Sequence, residues 1–415
     1  MITLFKNPSQ IITVETNGLN FKRGISMNAI SLLENHSLLI EDGKILDLIP
    51  NNSLGRKKFD QIIDLKDKVI LPGLIDCHTH TAFAGSRSGE FRERLAGVSY
   101  EEIAEKGGGI NSTVRSVRQS SLEDLVELMK PRIQRFIQQG VTTLEIKSGY
   151  GLSYFDEIKI LKALDQIKQW SAITIIPTFL GAHTFPPEYQ HEKNGYIKLL
   201  TEQILPYVAQ NKLAKFCDGF CEKTAFNSNE IDQIFTVATE LGLPLKLHTE
   251  QFNNIGGLET ALKHNATSVD HLEVLADTDI QKLSKSETVS VLLPGVSFFL
   301  NYGFAPARKL IENDAIVALA TDYNPGSSHI SNLHLIISMA CISMGMSVEE
   351  AISAVTINAA KALGLENEVG SLEIGKSADL MVLDTTEFSD LVYFVGENKN
   401  YMTIKNGNII YQKSE

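Results

Sequence analysis

Ten histidines are spread over 415 residues, and five of them fall where strands would end. His78 and His80 close the run Leu74-Ile75-Asp76-Cys77-His78-Thr79-His80. His248 closes the run from Leu243 to Leu247, His271 follows Asp270, and His183 follows an apolar stretch at 173–180. An acid joins them, because Ile316 to Thr321 ends at Asp322. Side chains alternate along a strand, so His78 and His80 share one face, about 6.6 Å apart along the chain. Two imidazoles at that spacing can both reach one metal ion at about 2.0–2.1 Å. A single histidine at a strand end is more often structural than ligating, and a single aspartate there usually forms a cap or turn. Such groups gathered at the same end of separate strands require a shared purpose. Three histidines and one aspartate suit a borderline ion, zinc or ferrous iron, and leave a position for water. The ion lowers the pKa of that water toward ~7, which points to metal-assisted hydrolysis. The other histidines, His36, His191, His264, His329 and His334, fall in hairpin, loop or helical segments and read as structural.

For those groups to meet, their strands must lie parallel. Strands are expected near 69–76, 141–147, 173–180, 214–221, 243–248, 267–271, 288–293 and 315–321, with helical patterns between most of them. Ser121 to Gln139 shows apolar residues at helical spacing, opened by a Ser121…Asp124 cap and closed by Gly140. Ser228 to Leu241 and Ala305 to Glu312 repeat the pattern. A last long helix is expected from Ser347 to Leu363, with a capping box in Ser347…Glu350. Eight strands alternating with helices predict an α/β fold, a (β/α)8 TIM barrel whose active site lies at the C-terminal ends of its strands. An open doubly wound sheet is disfavoured because no Gly-x-Gly-x-x-Gly follows the first strand. Gly107-Gly108-Gly109 lies between helical segments and reads as a loop. Both ends of the chain carry hairpin signals, Asp42-Gly43 and Asn406-Gly407 between short apolar runs. Lone hairpins are marginal in water, so the termini are expected to pair. The expected division is a small β-sandwich domain from 1–68 and 365–415 around a barrel at 69–364.

Bulk properties narrow the function classes. The net charge is -12, and no basic stripe of the kind nucleic-acid binding needs is present. No apolar stretch reaches the ~18–20 residues of a membrane helix, and the N-terminal segment lacks the apolar core of a signal peptide. Four cysteines, Cys77, Cys217, Cys221 and Cys341, do not make a disulfide framework, which favours a reducing, cytoplasmic setting. Cys217 and Cys221 lack a second pair at zinc-site spacing and read as buried thiols.

Pro72-Gly73-Leu74-Ile75-Asp76-Cys77-His78-Thr79-His80 resembles the opening signature of the amidohydrolase superfamily. Within it, the chain is similar to the imidazolonepropionase family. That likeness rests on the stretches His80 to Arg87 with Glu90-Phe91, Glu145 to Leu152, Phe179 to His183, His248 to Phe252 and Ala320 to Ser327. The resemblance implies hydrolysis of 4-imidazolone-5-propanoate to N-formimidoyl-L-glutamate in histidine degradation, by attack of a metal-activated water on the cyclic amide. It implies His78, His80, His248 and Asp322 as ligands of one divalent metal per chain, Zn2+ or Fe2+/Fe3+. It places Arg87, Tyr150, His183, Gln251, Asn324, Gly326 and Ser327 around a small-molecule substrate, and it implies a homodimer. Arg87 offers a forked cation for the propanoate, and the 324–327 backbone could hold a carboxylate. His271 or His183 would stabilise the oxyanion. Asp322 is the first choice for proton transfer, and strand alternation would turn Glu250 to the same side as His248, leaving the base open among Asp322, Glu250 and His271. The alternatives are an aminohydrolase of another small heterocycle and an inactive barrel scaffold.

Overall fold

The computed structural model describes residues 1–55, 58–98, 102 and 107–414. Eight parallel strands follow one another around a single sheet in chain order. They are β1 (Leu74–Asp76), β2 (Val141–Lys147), β3 (Thr174–Ala182), β4 (Phe216–Cys221), β5 (Leu245–Thr249), β6 (Ser268–His271), β7 (Val289–Leu292) and β8 (Val317–Leu319). The circle closes just past the strand ends. Thr79 bridges Tyr323 in parallel, the His80 N–H donates to Tyr323 O and the Asp322 N–H donates to His78 O, both at 3.0 Å. These strands are buried on both faces, as parallel strands covered by helices must be. The barrel expected from the alternation of strands and helices is present.

The covering helices start where their caps predict. Ser121 Oγ accepts the Asp124 N–H at 3.0 Å and the Asp124 carboxylate accepts the Ser121 N–H at 3.0 Å, opening Leu122–Ile137. Asn227 and Glu230 do the same for Ser228–Glu240. The single helix expected from Ser347 to Leu363 is two, Val348–Ala354 and Ile357–Lys361. Thr356 leaves helical geometry (φ −124°, ψ −98°), its hydroxyl takes Ile352 O at 2.6 Å, and Val355 O accepts the Ile75 N–H of β1 instead of a helical partner.

The run expected as one strand, 69–76, also divides. Val69–Pro72 joins a six-stranded sheet, antiparallel to Leu380–Leu383 and parallel to Gln10–Ile12. Leu74 begins the barrel. Gly73 makes the crossing possible, since a Cβ there would lie 2.4 Å from the Thr142 side chain. The six-stranded sheet draws on both termini and packs on a four-stranded N-terminal sheet through Phe5, Leu38, Ile45, Ile70, Leu380 and Met402. Both hairpin turns take the positive φ that their sequences predict: Asp42 48°, Gly43 80°, Asn406 48° and Gly407 75°. They meet around Ala378, whose N–H donates to Gly43 O and whose O accepts the Gly407 N–H, both at 2.9 Å.

Candidate active site

The ends of β1, β5 and β8 bring four side chains to one point. Asp322 Oδ1 lies 3.3 Å from His78 Nε2 and 3.2 Å from His80 Nε2. His248 Nε2 lies 3.3 Å from His80 Nε2. For four donors arranged tetrahedrally at about 2.0–2.1 Å from an ion, neighbouring donors are separated by about 3.3 Å. His78 Nε2 and Asp322 Oδ1 are buried without a hydrogen-bond partner, as donors facing a cation would be. Among the described residues, His78, His80 and Asp322 form one group able to hold a metal, and His78, His248 and His271 form another. The donor set therefore fits a divalent ion.

Each of two histidines is oriented from behind. His78 Nδ1 donates to Asp270 Oδ2 at 2.6 Å, and His248 Nδ1 donates to Asp218 Oδ1 at 3.2 Å. With the proton on Nδ1, Nε2 is left bare and turned to the cluster, the usual support for a ligating imidazole. Burial opposes ionisation of Asp218, but the charges and hydrogen bonds of His248 and Lys147 outweigh it and hold the carboxyl well below the usual range. Burial likewise lowers the pKa of His248 and His80 and keeps them neutral. At His78 burial and Lys147 act downward, and the carboxylates of Asp270 and Asp322 reverse the shift upward.

His183 lies beside this cluster, its ring stacked 5.2 Å from that of His80. Its Nδ1 donates to Gly149 O at 3.0 Å. Burial pushes its pKa down to about 3, so the ring is neutral and Nε2 offers a lone pair. Tyr150 closes the same side, its ring 5.8 Å from His80 and 5.4 Å from His183. The turn carrying Tyr150 is held by Glu157, whose carboxylate accepts the N–H groups of Gly149, Gly151 and Leu152 at 3.1, 2.7 and 2.8 Å.

Arg87 caps the helix Ser88–Leu95. Its Nε donates to Glu90 Oε2 at 2.8 Å, and its guanidinium lies against Gly326, where a Cβ would be 2.1 Å from Nη1. The 324–327 loop is closed on itself. Asn324 Oδ1 accepts the N–H groups of Gly326 and Ser327 at 2.8 and 2.7 Å, and Nδ2 donates to Asp322 O and Ser327 Oγ. The two backbone N–H groups considered for a carboxylate are engaged in that turn.

Gln251 Nε2 donates to Tyr302 Oη at 3.3 Å. His271, at φ 90°, has Nδ1 3.5 Å from Glu273 Oε1. Glu250 does not follow the strand alternation: its φ is 51°, and Oε1 accepts the Leu258 N–H at 3.3 Å. Its carboxylate thus faces the helix Gly257–Lys263 and belongs to neither metal-holding group. Glu250 just past β5, His271 at the end of β6 and Asp322 beyond the end of β8 all sit at positive φ, the kind of local strain that collects at functional sites. Cys217 and Cys221 are buried free thiols. Sequence reasoning passed over Asp218, Asp270 and Tyr302, which reach the site through partners distant in the chain, and Glu157 and Glu273, which reach it through turns that no periodicity marks.

A model of the amidohydrolase family matches residues 69–410. The chain is 42% identical to the imidazolonepropionase of Clostridium tetani over 99% of this chain and 98% of the relative. It is 40% identical to that of Flavobacterium johnsoniae, over 99% and 100%. Among solved structures, Escherichia coli guanine deaminase covers 100% of both chains at a TM-score of 0.74 and 16% identity. A triazine hydrolase variant reaches a TM-score of 0.78 at 16% identity, over 99% of this chain and 95% of its own. At such identities these two likenesses speak for the barrel fold alone.

Proposed function

Since the chain belongs to the amidohydrolase family and, within it, to the imidazolonepropionases, we infer that its barrel mouth hydrolyses 4-imidazolone-5-propanoate to N-formimidoyl-L-glutamate in histidine degradation. Full-length similarity to imidazolonepropionases at 42% identity carries this reading. The reaction breaks the bond between the ring carbonyl carbon and its nitrogen. Water oxygen ends on that carbon as a carboxylate, and the nitrogen leaves protonated.

His78, His80, His248 and Asp322 would hold one divalent ion, zinc or iron. When bound, the ion supplies Lewis acidity and lowers the pKa of water toward ~7. Arg87 binds the propanoate through the Nη groups that its bond to Glu90 leaves over. Tyr150, Gln251, Asn324 and Ser327 complete the pocket, and Gly326 keeps the guanidinium in place. His183 accepts a ring N–H at its bare Nε2; a neutral imidazole with its proton on Nδ1 has none to give an oxyanion there. Oxyanion stabilisation then falls to His271. Asp322 moves the proton to the leaving nitrogen, ahead of Glu250, whose carboxylate is turned toward the Leu258 N–H. The protein works as a homodimer on a small molecule, in the cytoplasm. No helix among the described residues is long and apolar enough to cross a membrane.

The test pairs a metal assay on purified protein with loss of absorbance of freshly prepared 4-imidazolone-5-propanoate. About one equivalent of zinc or iron is expected, with turnover lost on chelation and regained with metal. Stoichiometric metal without turnover would leave the site and remove the substrate.

A further inference from the structure

Beneath the metal-ligating atoms lies a layer of charge that the reaction itself does not use. Lys147 of β2, Lys246 of β5, Glu145 of β2, Asp218 of β4 and Asp270 of β6 have no solvent exposure at all. Lys147 Nζ lies 2.7 Å from Asp218 Oδ2, 3.0 Å from Glu145 Oε1 and 3.8 Å from Asp270 Oδ2. Lys246 Nζ lies 3.7 Å from both Asp270 Oδ2 and Glu145 Oε1 and donates to Cys77 O at 3.1 Å. Among the described residues, Lys147 alone is within ion-pair distance of both Asp218 and Asp270. Those two carboxylates are the ones that take the Nδ1 protons of His248 and His78. A buried carboxylate that loses its cationic partner loses the contact that holds it in place, and then no longer fixes the ring of its histidine.

We propose that Lys147 is a positioning residue for the metal centre, one buried ammonium that secures both carboxylates orienting His248 and His78. It joins two ligands carried by different strands of the barrel, His78 past β1 and His248 within β5. A cation needed only to balance buried acid would not have to touch both; Lys246, equally buried, does not. The geometry makes the two supports interdependent. When one aspartate is replaced by asparagine, the ammonium shifts toward the other, and the second histidine feels the change. This role rests on the metal-site reading given above, and the experiment separates the two.

Zinc affinity of chelator-stripped protein is measured by competition with a chromophoric chelator, with circular dichroism to establish folding. Lys147→Met is expected to weaken zinc binding about 10–100-fold, the usual cost of losing outer support of a metal ligand. Lys147→Arg is expected to recover part of it, and Lys246→Met to cost less. The deciding measurement is the cycle of Asp218→Asn, Asp270→Asn and their double variant, all in the Lys147 background. Their combined loss of affinity should depart from the product of the single losses, and in folded Lys147→Met protein it should not. Unchanged zinc affinity in Lys147→Met would overturn the proposal, as would single losses that simply multiply in the Lys147 background. The cycle decides even where Lys147→Met does not fold. A wild-type protein that takes up no zinc or iron would instead overturn the metal-site reading itself.

Discussion

Gly326 and Arg87 contend for one volume: a Cβ on the glycine would lie 2.1 Å from Nη1 of the guanidinium. Gly326 is absent from the positive-φ glycines, so alanine would strain no backbone there and would act by displacing Arg87. Arg87→Met is expected to raise KM for 4-imidazolone-5-propanoate roughly 10–100-fold, as loss of hydrogen bonds to a charged group would, and to lower kcat less. Gly326→Ala should move KM in the same direction by a smaller factor. Steady-state kinetics of both variants check this, and an unchanged KM in Arg87→Met would place the propanoate elsewhere.

Removal of the metal should cost stability as well as turnover. An ion bound at one hundred times its Kd contributes about 2.7 kcal/mol to the folded state. Four donors buried at 3.2–3.3 Å spacing would lose their shared partner on chelation. Thermal unfolding with and without chelator should differ by several degrees in wild type and far less in Asp322→Asn. Equal melting of wild type in both conditions would count against a resident ion.

Glu157 holds the turn that carries Tyr150. In Glu157→Gln the amide keeps one accepting oxygen for the three N–H groups of Gly149, Gly151 and Leu152. A stability loss of about 1–3 kcal/mol is expected from the stranded donors, together with a higher KM as the Tyr150 turn loosens. Denaturant unfolding and KM measured on the same preparation would show both, and a normal KM would free Tyr150 from dependence on that carboxylate.

Glu250 gives a pH signature. Burial pushes its carboxyl up to about 7, against the Leu258 N–H, which favours the charged form. The folded state then binds the proton more tightly than the unfolded chain does, whose glutamate titrates near ~4.3. Its stabilising contribution is present below that unfolded value and is lost as pH rises through about 7. Wild type should therefore lose thermal stability relative to Glu250→Gln between pH 5 and pH 8. Parallel melting profiles for the two proteins would contradict the raised pKa. Near-normal turnover in Glu250→Gln would separately remove it as an essential base.

The paired turns of the terminal hairpins supply a test of the small sheets. A Cβ on Gly43 would lie 2.9 Å from Asn406 O, at φ 80°. Gly43→Ala should destabilise by about 1–2 kcal/mol, read by denaturant unfolding, while KM stays at the wild-type value.

What the sequence made legible was periodic or local. His78, His80 and His248 announce themselves because strand alternation puts successive chemistry on one face. Caps such as Ser121 with Asp124, and turns such as Asn406-Gly407, depend on residues a few positions apart. The break at Thr356 was hidden because its cause is a carbonyl claimed by Ile75 from β1. Glu250 was misplaced because alternation stops where φ turns positive. Lys147, Asp218 and Asp270 read as charged residues within strands, and the pairing of Lys147 with the two aspartates runs across the barrel interior, where nothing local announces it. Val69–Pro72 and Leu74–Asp76 form one apolar run in sequence and belong to two sheets in space, a division set by Gly73 beside Thr142.

The closure of the barrel at Thr79 and Tyr323 also bears on how the protein is born. The proposed ligands His78 and His80 leave the ribosome early, whereas Asp322 arrives with the last strand. A nascent chain that has not yet produced β8 has no complete cradle for an ion, however much of the barrel it has made. Capture by the full set of proposed ligands is then a late event, available only to molecules whose first and last strands have found one another. Ribosome-bound chains truncated before residue 316 should hold zinc more weakly than full-length released chains. On this account the ion acts as an inspector of synthesis: possession of it certifies that the circle has been completed.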